Sequence, residues 1–279
     1  MARLELPEVE TIRRDLEREI GGRKIKSIDV RALKSLPRHR TKKQFTDPLE
    51  GAKAVTVERH GLLLAVRFDN DTILAIDLGE HGRLLRASPK DPVGEDVQVV
   101  LSFTQGGDLR FSDRDGSAEM AAVDADAFAE LLAERGPTGL DLLEEPLTWV
   151  QFGRLVMAEA MPLKLLLTDP RIFAGIGDLY SDEILFDAGL RYDRPSNQLS
   201  TQEIRRLYRS VVGILHDAIK YRGTTLEDGR YVDLEGKPGD YGLQLAVYGK
   251  AGELSPRSRS PIQKATFKGH KVFYCTTQV

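Results

Sequence analysis

Six short stretches with strand character crowd into the first half of this chain: KIKSIDVRAL, AKAVTVERHG, LLLAVRFDN, TILAIDLG, VQVVLSFTQ and DLRFSD. Turn and loop residues break them apart at Phe68-Asp69-Asn70-Asp71, Ser88-Pro89 and Gln105-Gly106-Gly107-Asp108. Strands so closely spaced predict an antiparallel sandwich or barrel. A helix precedes them. Pro7 suits a first helical position, Glu8 and Glu10 meet the positive end of the dipole, and Val9, Ile12, Leu16 and Ile20 recur at helical spacing before Gly21-Gly22. Glu5 lies ahead of that helix and is left without a structural explanation.

Near Asp124 the pattern turns helical, with DAFAELLAERG followed by the Gly/Pro-containing connection PTGLDLLEEP. The second half continues with WVQFGRLVMAE, a stretch ending near Leu190, and a helix that starts at the Ser200/Glu203 capping box and runs toward Lys220. PIQKATFKGHKVFYC returns to strand character and predicts a hairpin about Lys268-Gly269. The fold class is α+β: an N-terminal antiparallel β-sandwich with flanking helices over 1–135, a linker over 136–148, a helical domain over 149–248 and a terminal hairpin over 249–279.

A chain of 279 residues is long enough for two cores, and 41% hydrophobic with 30% charged residues is ordinary for a soluble protein. No apolar run approaches a membrane span, and the charged start is no signal peptide. The single cysteine, Cys275, excludes an internal disulfide and fits a cytoplasmic location. A net charge of −3 by itself argues against nucleic acid, but the distribution is uneven. Basic residues outnumber acidic ones from Arg13 to Lys43. After Gly249, Lys250, Arg257, Arg259, Lys264, Lys268 and Lys271 face only Glu253. Together the two stretches could build one polyanion-binding face; separately they are solvated surface.

FAGIGDLYSDEIL, residues 173–185, is the most informative segment. Gly175 and Gly177 open a turn and Asp178 starts an amphipathic helix. One reading leaves backbone N–H groups free for a phosphate, with Lys164 adding a point charge. The other is a tight helix–turn–helix corner that needs glycine for its backbone.

Three stretches, LELPEVET, GIGDLYSDEIL and QLAVYGKAGE, resemble the signatures of the formamidopyrimidine-DNA glycosylase and endonuclease VIII family of base-excision repair enzymes, in the family's order along the chain. The resemblance implies a β-sandwich domain, a helix–two-turn–helix DNA-binding domain and a β-hairpin finger. It also implies a monomer acting on double-stranded DNA, damaged or abasic, in the cytoplasm and on the nucleoid, with no cofactor. In such enzymes a processed amino-terminal proline attacks C1′ of a flipped nucleotide, and the glutamate that follows handles protons. An α-amine, with a pKa of about 7.7–8.0, is neutral enough for that attack where lysine, at about 10.4, is not. Glu5 matches the glutamate; otherwise it is a surface carboxylate.

This chain departs from the family at the chemistry. Leu4 stands at the proline, with Met1, Ala2 and Arg3 in front, so the candidate amine is that of Ala2 after methionine removal. Leu62 stands for an active-site lysine, and Asp77 and Glu80 stand for a histidine and a gap-filling methionine. Asp115 and Ser117 replace an inserted arginine and aromatic, and Asp178 an asparagine that holds phosphate. The zinc-ribbon positions carry Ser255, Ser258, Cys275 and Gln278, which predicts a finger without metal. His270 falls at a phosphate-contacting arginine; a solvated turn histidine is the alternative. The expectation is a DNA-binding protein that keeps Lys164, Gly175, Gly177, Asp178, Lys268, His270, Lys271 and Glu5 but has lost AP-lyase chemistry. Two alternatives stay open: a divergent active glycosylase using Glu5 or the Ala2 amine on an unusual lesion, and a protein-interaction scaffold that no longer meets DNA.

Overall fold

The computed structural model describes residues 4–144 and 147–279. Helix α1 (Leu6–Ile20) leads into eight strands: β1 (Ile25–Val30), β2 (Ala54–His60), β3 (Leu63–Phe68), β4 (Ile73–Asp77), β5 (Arg83–Ala87), β6 (Val97–Phe103), β7 (Asp108–Ser112) and β8 (Glu119–Val123). The short helix α2 (Lys42–Thr46) is inserted after β1. Two four-stranded sheets result, in the orders β1-β6-β7-β5 and β2-β3-β4-β8, with every pairing antiparallel.

The sandwich core lies between the sheets and under α1, whose Val9, Ile12, Leu16 and Ile20 join it. Strand β3 shows why its sequence is apolar without a break. Leu64 and Val66 face the sandwich interior, while Leu63 and Ala65 pack with Phe128 and Leu131 of α3 (Ala125–Glu134) on the opposite face. A strand covered on both sides has no solvent face to mark with polar residues.

The second half holds α4 (Trp149–Ala158), α5 (Leu163–Thr168), α6 (Asp178–Ala188) and α7 (Thr201–Lys220) around a core of their own. The Ser200 hydroxyl accepts the Glu203 N–H, and the Glu203 carboxylate accepts the Ser200 N–H at 2.8 Å, which fixes the start of α7 as its sequence indicates. Strands β9 (Gln263–Phe267) and β10 (His270–Tyr274) pair antiparallel about Lys268 and Gly269, whose φ values of 47° and 91° are those of a two-residue hairpin turn. Leu6 of α1 belongs to the helical core, unlike the rest of its helix, so one element stitches both halves. Among the described residues no helix is long and apolar enough to cross a membrane.

Candidate functional site

The two halves meet at Glu5, the residue just ahead of α1. Its buried carboxylate accepts the backbone N–H groups of Gly177 (2.6 Å), Leu179 (2.9 Å) and Tyr180 (3.2 Å) at the start of α6. Beside it, the Leu6 N–H donates to the Gly175 carbonyl at 2.7 Å. Both glycines are required by this contact. Gly175 has φ +70°, and a Cβ there would lie 2.9 Å from Leu62 and 3.0 Å from Leu6. A Cβ on Gly177 would lie 2.5 Å from the Glu5 carboxyl carbon. The Gly177 N–H is therefore committed to Glu5 rather than left for an external phosphate, and the corner reading of these glycines is the one the geometry supports.

Glu8 is more than a first-turn carboxylate. It is buried, and it accepts the Tyr180 hydroxyl (2.6 Å), the Thr224 N–H (2.8 Å) and the Glu5 N–H (3.2 Å). Burial, with Glu8 alongside, pushes Glu5 up to about 8 against the pull of its amide donors; burial pushes Glu8 up to about 7. Sequence reasoning missed Glu8. The only signal was its place three residues after Glu5, which also suits a helix start.

Lys164 corrects an expectation. Its side chain is fully buried, and its ammonium donates to Asp182 (2.7 Å), the Ser181 hydroxyl (2.8 Å) and the Asp178 carbonyl (2.9 Å). It has no surface to offer a phosphate; it neutralises carboxylates inside the helical domain. Asp182 in turn accepts the Phe273 N–H of β10 at 2.8 Å. Asp178 and His270 come together, with Asp178 Oδ1 2.8 Å from His270 Nδ1 and Oδ2 3.3 Å from the Lys271 N–H. Lys268 and Lys271 are exposed. Glu183 accepts the N–H groups of Ala246 (2.8 Å), Val247 (2.9 Å) and Tyr248 (2.8 Å). The stretches around Glu5, Glu183 and Tyr248 are thus one unit, held by two buried carboxylates that each take three amides.

Two hollows adjoin this unit. An open cleft of about 550 Å³ runs past Leu4, Glu5, Leu62, Asp178, His270 and Lys271. A smaller hollow of about 60 Å³ is lined by Glu5, Glu8, Tyr180, Thr224 and Arg230. Leu4, Glu5 and Tyr248 border both. Ala2, the candidate amine, lies outside the described residues.

The loops read as replacing the gap-filling residues hold one another. Asp77 accepts the Gly79 N–H (2.8 Å) and pairs with Arg135 (2.5 Å). The Glu80 N–H donates to Ser117 (3.0 Å), and His81 meets Asp115 at 2.5 Å. Potential metal donors of Glu80, His81 and Asp115 lie within 4.8 Å of one another. In the finger, the Ser258 hydroxyl lies 2.9 Å from the Cys275 sulfur, and Gln278 accepts the Cys275 N–H (2.7 Å) while donating to the Leu190 carbonyl (2.7 Å). A side-chain amide and hydroxyls thus occupy this end of the finger.

A sandwich and a helical domain closing on a cleft, with a hairpin finger at its edge, define a two-domain glycosylase architecture. The Formamidopyrimidine-DNA glycosylase N-terminal domain matches residues 4–120, and the Formamidopyrimidine-DNA glycosylase H2TH domain matches residues 138–229. The chain is 32% identical over 273 residues to the formamidopyrimidine-DNA glycosylase of Pelotomaculum thermopropionicum, covering 98% of each. It is 34% identical over 276 residues to that of Geobacillus kaustophilus, covering 97% of each. Among solved structures, the MutM (Fpg) protein of Thermus thermophilus superposes with a TM-score of 0.83 at 31% identity over 98% of each chain. Lactococcus lactis Fpg in complex with DNA containing an abasic site superposes at 0.85 with 28% identity over 97% of each. The chain belongs to the formamidopyrimidine-DNA glycosylase family, and its fold is the α+β arrangement of sandwich and H2TH domain anticipated from sequence.

Proposed function

We propose that this protein binds double-stranded DNA at damaged or abasic sites, in the context of base-excision repair, and does not cut the strand by amine chemistry. The observation that carries the second half is the residue beside Glu5. Leu4 borders the cleft with a nitrogen acylated by Arg3, and an amide lone pair delocalised into its carbonyl is no nucleophile. Family membership, the cleft at the domain junction and the exposed Lys268 and Lys271 on its finger side support the first half. Gel retardation tests it. A duplex carrying an abasic site is expected to be retained more tightly than its undamaged counterpart, with retention falling steeply as salt rises; equal or absent retention contradicts the proposal.

One observation favours a second reading, a glycosylase that releases a base with water. Glu5 borders both the cleft and the smaller hollow, and burial pushes its carboxyl up to about 8, a range suited to proton transfer near neutral pH. Base release by the wild type that is lost in Glu5→Gln supports it. An inactive wild type across a lesion panel removes it.

A further inference from the structure

We infer that Asp178 is a built-in stand-in for a nucleic-acid phosphate, occupying a phosphodiester site of the finger until DNA displaces it. The inference rests on the proposed entry of DNA into the cleft.

Among the described residues the outer edge of β10 has no strand beside it; its sheet consists of β9 and β10 alone. The outward N–H groups of Lys271 and Phe273 are instead taken by two carboxylates one turn apart on α6. The two are not equivalent. Asp182 is fully buried, bonds Lys164 at 2.7 Å and takes the Phe273 N–H at 2.8 Å, so it is a permanent anchor. Asp178 is 25% exposed on the cleft wall and takes the Lys271 N–H at a longer 3.3 Å. It stands 3.4 Å from Lys164, which is already saturated by closer partners.

What surrounds the Asp178 carboxylate on the cleft side is a pair of donors, an imidazole nitrogen and a strand-edge N–H, with the Lys271 side chain exposed nearby. A phosphodiester oxygen has the same needs as the carboxylate, which are negative charge and acceptors for two or three donors. While Asp178 sits there, an incoming phosphate meets like charge at the point where the finger offers its donors, so affinity is held down. His270, paired with Asp178, contributes little to DNA until that pairing is broken.

The test is fluorescence anisotropy with a labelled duplex carrying an abasic site, titrated across a salt series with wild type, Asp178→Asn, Asp178→Ser and Asp126→Asn. Asparagine keeps an acceptor for the Lys271 N–H, and serine supplies a smaller replacement should the first variant disturb the finger. Both are expected to bind about five- to tenfold tighter, the scale of one additional charge-assisted hydrogen bond. Their log–log salt dependence should steepen by about one unit, for one more phosphate engaged. Asp126→Asn, the same charge change on α3, is expected to stay within about twofold. His270→Ala should shift the wild type by less than about twofold yet erase the tighter binding in the Asp178→Asn background. Wild-type affinity in both Asp178 variants, or tighter binding that survives His270→Ala, overturns the inference alone. Flat titrations for every protein overturn the DNA reading and the inference with it.

Discussion

Glu5 and Glu8 are two buried carboxyl groups, and each is held by hydrogen bonds from distant parts of the chain. Both carry folded-state pKa values above the ordinary carboxyl range. The fold therefore binds protons that the unfolded chain has released. Stability is fully supported below the unfolded value and is lost as pH rises through about 7 and about 8. Each such proton contributes a slope of about 1.4 kcal/mol per pH unit. Urea unfolding at a series of pH values is expected to show stability declining from about pH 5 to about pH 8. Glu8→Gln, which keeps an acceptor for Thr224 and Tyr180, should reduce that slope; an unchanged slope would mean that Glu8 stays ionised in the fold. A second residue-scale prediction concerns Gly177→Ala. The new methyl must displace a carboxyl tied by three amides, and a loss of roughly 2–3 kcal/mol is expected by urea titration.

Among the elements, α6 is the hub. Asp178 and Asp182 hold β10, Glu183 holds residues 246–248, and its first turn receives Glu5. Removing the Lys164 ammonium leaves buried carboxylates uncompensated, so Lys164→Met is expected to cost about 3–5 kcal/mol. The folded fraction should bind DNA with unchanged affinity; a loss of affinity without a loss of stability would restore Lys164 to the DNA surface. Elements rich in β-branched and apolar residues between turn signals, or marked by a cap, were legible in the sequence: β1 to β4, β6 and β7, the Ser200 start of α7, and the hairpin at Lys268-Gly269. Strands β5 (RLLRA) and β8 (EMAAV) were not, because five residues mixing arginine, or alanine and methionine, carry no strand period, and only their sheet neighbours make them strands. Lys164 was misread, and Gly177 was left between two readings, for a related reason. Residue type announced a cation and a free N–H, but their partners, Asp182 and Glu5, lie 18 and 172 positions away. Glu5 was legible as unusual and not as the tie between domains.

At the scale of the whole molecule, α1 belongs to two cores and the residues at its start tie the halves together, so the cleft borders one of the places where they are coupled. The same place holds Leu4, where a family nucleophile would need a free amine. Abasic DNA should therefore enter this cleft without forming a covalent bond to the protein. Borohydride trapping of the purified protein on a duplex with an abasic site, at low salt, decides the matter. A retarded noncovalent complex and no covalent adduct are expected. A borohydride-stable adduct would contradict that expectation, because an amine of this chain would then have reached C1′.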